Sequence, residues 1–234
     1  MNPLPGPILL FVLPLLAAGV TYFFRRWAFL AALVATVTSG VLAFLCLRLP
    51  LDRSAFVLGQ EVGFGRPVVV IGQTLQLHSA GQLWLAFTFG LAVILYMIAW
   101  RISQGRSFFP FSLVIMALYV LVILLEGFAL QVLVYAVSVT LAVFIVQGGQ
   151  LTSVRGAQRY LVVSLIAVPL LLAAAWLMDP ARSTPQDAET IRRVLLPAAL
   201  GFGLLLGAFP FGTWMPALAA TTPPVITAFV FAAG

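Results

Sequence analysis

Moving a proton through hydrocarbon takes titratable side chains that face the inside of a helical bundle and are paired well enough to bear desolvation. The 234 residues supply few: six acids, one histidine, one cysteine and twelve arginines, with no lysine. The acids, Asp52, Glu61, Glu126, Asp179, Asp187 and Glu189, all lie between apolar runs. Glu126, beside Gly127, reads as an interfacial carboxylate in a tight outer turn, with admission of protons as its functional alternative. His78 reads as an interfacial side chain at the end of an extended segment, with pH sensing as its alternative. A single histidine rules out bis-His haem ligation or a His-based metal cluster within the chain. Cys46 sits inside an apolar run as a small buried or lipid-facing side chain, and one cysteine builds neither a disulfide framework nor a thiolate cluster. No phosphate-cradling glycine loop or nucleophile elbow occurs, so neither cofactor nor metal is predicted.

The elements that hold these groups are apolar. With 63% apolar and 8% charged residues, the chain reads as an all-α polytopic membrane protein. Seven full runs, near 5–24, 27–47, 83–100, 108–125, 128–146, 160–178 and 194–210, each suit a spanning helix. The first has no basic n-region and reads as a retained helix, not a signal peptide. An eighth run starts at Val225, with Thr221 and Thr222 as candidate N-caps and Pro223 in the first turn. Its ten residues would rise only about 15 Å, which predicts the front part of a longer chain, with a closing half-helix supported by a partner as the alternative. Gln131, Ser138 and Thr140 in the fifth run serve helix packing. Asp179-Pro180-Ala181-Arg182 and Asp187-Ala188-Glu189 read as an outer loop with a cap for helix seven. Gly203, Gly207 and Gly212 around Pro210 predict a bent or interrupted seventh helix.

Three segments follow: residues 1–50 with two helices, 51–82 outside the membrane, and 83–234 with five more helices and the start of an eighth. The Val-rich stretch FVLGQEVGFGRPVVVIGQTLQLH (56–78) alternates apolar and polar residues around Gly63, Gly65 and Gly72, which predicts an extracytoplasmic β-hairpin. Arg25, Arg26, Arg101, Arg106, Arg155 and Arg159 occupy the odd connections, which hold no acid. Every acid lies in the even ones, beside the other six arginines. The acid-free side is therefore cytoplasmic and the N-terminus outside. The basic balance reports topology and contact with anionic lipid, not nucleic acid, which would need a clustered solvated face.

The stretch LLGAFPFGTWMPALAATTPPVITAFVFAAG (205–234) resembles the antiporter-like subunits of respiratory complex I and their Mrp-antiporter and membrane-hydrogenase relatives. There a Lys stands five residues before the Pro of P-[FL]-x-x-W-[LM]-P-D, and P-V-S-A-L follows. Here the Pro is Pro210 and the Trp is Trp214, while Leu205 stands at the Lys and Ala217 at the Asp. FFPFSLVIMALYVLVILLEGFALQVLVYAV (108–137) resembles helices four and five, with Val137 at the position of the buried Glu in F-V-F-W-E. AQRYLVVSLIAVPLLLAAAWLM (157–178) resembles A-x-K-Y-F-L-L-S-A, with Arg159 for the Lys. His78 stands where L-x-L-D-x-L-S has Asp. The helix-eight His or Lys falls on Val230, or on Phe231 with a one-residue shift. The resemblance covers most of 65–234.

The resemblance implies the N-terminal half of an antiporter-like subunit in a prokaryotic-type cytoplasmic membrane, with other membrane subunits and lipid as partners. Since the relay positions are apolar, the first expectation is a non-catalytic scaffold, inert in proton transfer. The alternative is part of an active proton- or cation-translocating module (NADH:quinone oxidoreductase, Mrp antiporter, hydrogenase or inorganic-carbon pump), its charged relay supplied by further residues or by quinone-reducing or ion-translocating partners. A free-standing small-molecule transporter ranks last, for want of buried charge.

Overall fold

The computed structural model describes residues 4–48, 55–57, 60–63, 67–70, 72–102, 105, 107–148, 154–183, 188–208 and 211–233. Among them are helices α1 (Gly6–Phe23), α2 (Ala28–Arg48), α3 (Ser79–Ala99), α4 (Phe108–Leu124), α5 (Phe128–Gly148), α6 (Arg155–Ser183), α7 (Ala188–Leu205), α8 (Trp214–Thr221) and α9 (Pro224–Ala233). Five are long and apolar enough to cross a membrane: α1, α2, α3, α5, and α6 over Arg155–Met178. α4 is as apolar but has only 17 residues, and α7 carries Glu189, Arg192 and Arg193 in its first two turns.

α4 occupies the centre, with 10 of its 17 residues buried, and packs against α1 and α5. Around it α2 pairs with α3, α5 with α6, and α6 with α7. Lipid tails are as apolar as Leu, so helices in a bilayer associate through close packing of small residues and not through escape from water. Buried Ala31, Ala32 and Ala35 of α2, Ala92 and Ala99 of α3, and Ala167 and Ala174 of α6 fit that requirement. Aromatic contacts fix which helix ends meet. Phe29 at the start of α2 lies 5.6 Å from Trp100 after α3, Tyr96 of α3 lies 6.2 Å from Phe108 of α4, and Phe111 of α4 stacks 6.4 Å from Phe144 of α5. The connections after α1 and α3, with Arg25, Arg26 and Arg101, and the start of α6, with Arg155 and Arg159, thus share one end of the bundle.

The opposite end carries the strands: β1 (Leu4–Pro5), β2 (Ala55–Val57), β3 (Gln60–Gly63), β4 (Val68–Val70) and β5 (Gln73–Leu75). The alternation in 51–82 predicts one hairpin, and two are found. β2 and β3 pair antiparallel, with β1 added parallel to β3. β4 and β5 form a separate pair, turned at Gly72, whose φ of +75° suits a residue without Cβ. β1 takes Leu4 and Pro5, where the first apolar run begins, a pairing no local pattern announces.

Two further expectations need correction. Asp179-Pro180-Ala181-Arg182 is not a loop, because the backbone of α6 continues helical to Ser183. Ala and Arg are strong helix formers, and α7 packs back along α6 to support the extension. Thr221 and Thr222 do not cap α9. The Thr221 hydroxyl donates backward to the Ala217 carbonyl at 2.9 Å, and the Thr222 hydroxyl is buried with no hydrogen-bond partner among the described residues.

Candidate functional site

The interruption between α7 and α8 is the feature with most chemical potential, since it breaks the helical ladder beside a cavity. α7 ends through the hydrogen bonds of a Schellman turn. Gly207 has φ +61°, the Ala208 amide donates to the Gly203 carbonyl at 2.9 Å, and the Gly207 amide donates to Leu204 at 3.2 Å. The carbonyl of Leu204 also accepts from the indole Nε1 of buried Trp214 at 3.1 Å. Gly212 faces the Gly207 carbonyl so closely that a Cβ would stand 2.5 Å from that oxygen. Gly207 therefore supplies the backbone conformation, Gly212 the clearance, and Trp214 the staple. Pro210 lies outside the described residues. α8 then runs beside the first turns of α6, with Gly156 against Ala217 and Leu218.

Leu205, at the Lys position of the resemblance, is half-buried and lines a cavity of about 290 Å³ between α4, α5, α6 and α7. Gln131, Val132, Tyr135, Leu171 and Phe202 share its wall, and among the described residues no carboxylate, amine, guanidinium or imidazole does. The Gln131 amide is already committed, donating to the Leu125 carbonyl at 2.5 Å. Val137 is not brought to Leu205. It is 52% exposed on the outer face of α5, away from the cavity wall that Gln131 and Tyr135 provide. The interior position is the next residue, Ser138, fully buried, whose hydroxyl donates to the Tyr135 carbonyl at 2.8 Å. Val230 is buried in α9, whereas Phe231 is 44% exposed and meets Trp214 edge-on at 5.9 Å.

The two interfacial candidates lie at the strand-bearing end. Glu126 is exposed and accepts a hydrogen bond from the Thr74 hydroxyl of β5. His78 is exposed and stands at the N-cap of α3 in extended conformation, with no side-chain cap bond. Its carbonyl accepts from the Gln82 amide at 2.9 Å. Among the described residues no three of His, Cys, Asp and Glu gather at one point.

What sequence reasoning missed is a set of tyrosines. Tyr119 of α4 and Tyr135 of α5 have ring centroids 6.3 Å apart, and Tyr160 of α6 lies 5.3 Å from Trp214. The Tyr160 hydroxyl is buried without a hydrogen-bond partner among the described residues. Their spacing in sequence carries no periodic signal, because they come from three helices. No protein-family model and no curated protein matches this chain.

Proposed function

We propose that the chain is an antiporter-like membrane subunit of a larger energy-converting complex, acting as scaffold and docking surface and not conducting protons. One observation carries the reading: the helix interruption at Gly207 opens beside a cavity whose wall, Leu205 included, holds no carboxylate, amine, guanidinium or imidazole among the described residues. A broken helix beside a cavity is the architecture of an ion site. An apolar wall removes the stepping stones, since a charge at the bilayer centre costs at least about 2.5–3.5 kcal/mol on insertion scales.

In this reading α4 also spans, and α7 with α8 forms a seventh crossing in two pieces, followed by the short helix α9. The arginine-rich, acid-free end is cytoplasmic by the positive-inside rule, which places the N-terminus and both hairpins outside. The membrane is a prokaryotic-type cytoplasmic membrane, and the partners are other membrane subunits.

Reconstitution tests the functional part. The chain alone in liposomes, followed by pH-driven dye quenching, is expected to pass no protons above background. Deleting it from its host is expected to leave its complex under-assembled. Robust, uncoupler-sensitive flux through this polypeptide alone would overturn the scaffold reading.

A further inference from the structure

We propose that the head of α6 is a binding site for the phosphate of an anionic phospholipid. An open pocket of about 470 Å³ there is lined by Arg155, Gln158, Arg159, Val162, Thr213 and Trp214. The two guanidinium-bearing residues are one helical turn apart, about 6 Å along the axis, and both are exposed. They sit where the partial positive charge of a helix N-terminus favours an anion and disfavours a cation. The first turn of α6 holds no acid, and among the described residues no carboxylate lines the pocket and neither arginine has an ion-pair partner. Three sources of positive potential therefore converge without a counter-charge among the described residues lining the pocket.

Lipid is favoured over free phosphate by what lies along the same helix face. The exposed positions of α6 continue from Arg155, Gln158 and Arg159 through Val162, Leu165, Ile166, Pro169 and Ala173. Apart from the three head residues this stripe is uniformly apolar. An amphiphile with its phosphate between Arg155 and Arg159 lays its acyl chains down the stripe, and the Trp214 ring forms an inner wall. A soluble anion would have no use for the apolar part. The inference depends on membrane insertion but not on the scaffold role.

Native mass spectrometry of the full chain, released from detergent after incubation with equimolar phosphatidylglycerol and phosphatidylcholine of matched chains, tests the site. Phosphatidylglycerol adducts are expected to dominate, by on the order of fivefold for each arginine engaged. Arg155→Gln/Arg159→Gln should bring the two adducts to parity, while Arg25→Gln/Arg26→Gln, at the same end of the bundle, should keep the preference. If the first pair costs the protein its fold, Arg159→Gln alone is measured, with a fall of about fivefold expected. Equal adducts on the unaltered chain, a preference that survives in a folded Arg155/Arg159 variant, or an equal loss from the Arg25/Arg26 pair would overturn the proposal. Displacement of phosphatidylglycerol by excess inorganic phosphate would assign the pocket to a soluble anion and overturn the lipid.

Discussion

The hydroxyl of Thr74 donates to the carboxylate of Glu126 across 52 residues of sequence. Beside it the Gln76 amide donates to the Leu124 carbonyl at 2.9 Å, and Leu75 forms a bridge with Leu125. Leu75 and Leu77 are buried beneath. Together these contacts clamp the β4–β5 hairpin onto the turn between α4 and α5, so Glu126 works as a latch.

A hydrogen bond to a charged group is worth about 1.5–3 kcal/mol in general and nearer 1 kcal/mol at an exposed site. Glu126→Ala should therefore speed exchange of the Gln76 amide by about fivefold, and Thr74→Val should do the same. The double variant should add little to either single one. Hydrogen exchange on the purified chain reads all three, and strict additivity would deny the coupling.

Three glycines near the helix interruption should respond differently to alanine. Gly207→Ala forces a Cβ into a left-handed conformation at a cost of about 1–2 kcal/mol. Gly212→Ala drives a Cβ against the Gly207 carbonyl, and is expected to cost at least as much. Gly203→Ala should be neutral or slightly stabilising, since its Cβ would meet only the Phe211 ring at 3.9 Å. Thermal unfolding in detergent ranks the three.

Trp214→Phe keeps an aromatic ring against Tyr160 and removes the donor to Leu204. About 1 kcal/mol should be lost, with readier proteolysis between residues 206 and 213. Unchanged cleavage there would mean that the indole bond does not hold the interruption closed.

Val137 and Ser138 give a direct test of which face of α5 meets lipid. A nitroxide at residue 137 should collide freely with dissolved oxygen in the bilayer, and one at 138 should be shielded. For the same reason Leu205→Lys/Val137→Glu should conduct no better than Leu205→Lys alone, as a carboxylate at 137 points away from the cavity. Flux in that double variant and not in the single one would place 137 inside.

Much of the helical framework is legible in the sequence, because a run of about twenty apolar residues has few alternatives to a helix. The ends are less so. α7 begins at Ala188 and stops at Leu205, while its apolar run covers 194–210, because charged first turns hide from a hydropathy reading and Gly207 ends the helix through its own turn. The inward face of α5 is illegible for another reason. Helices that are apolar all round give no periodic contrast, so nothing local separates exposed Val137 from buried Ser138. Strand pairing between Leu4–Pro5 and β3 joins residues far apart in sequence. The tyrosines of α4, α5 and α6 likewise meet only after folding.

The centrality of α4 has a mechanical consequence. Its 17 residues rise about 26 Å, short of a hydrocarbon thickness of roughly 30 Å, whereas the 29 residues of α6 rise about 43 Å. Hydrophobic mismatch taxes only those surfaces that acyl chains touch. In the proposed spanning arrangement α4, wrapped by its neighbours, escapes the matching rule and is free to be as short as its packing allows. α6 presents a full face outward and must satisfy the bilayer by tilting or by standing proud of it. Changes in bilayer thickness should therefore act on the protein through α6 and leave α4 unmoved.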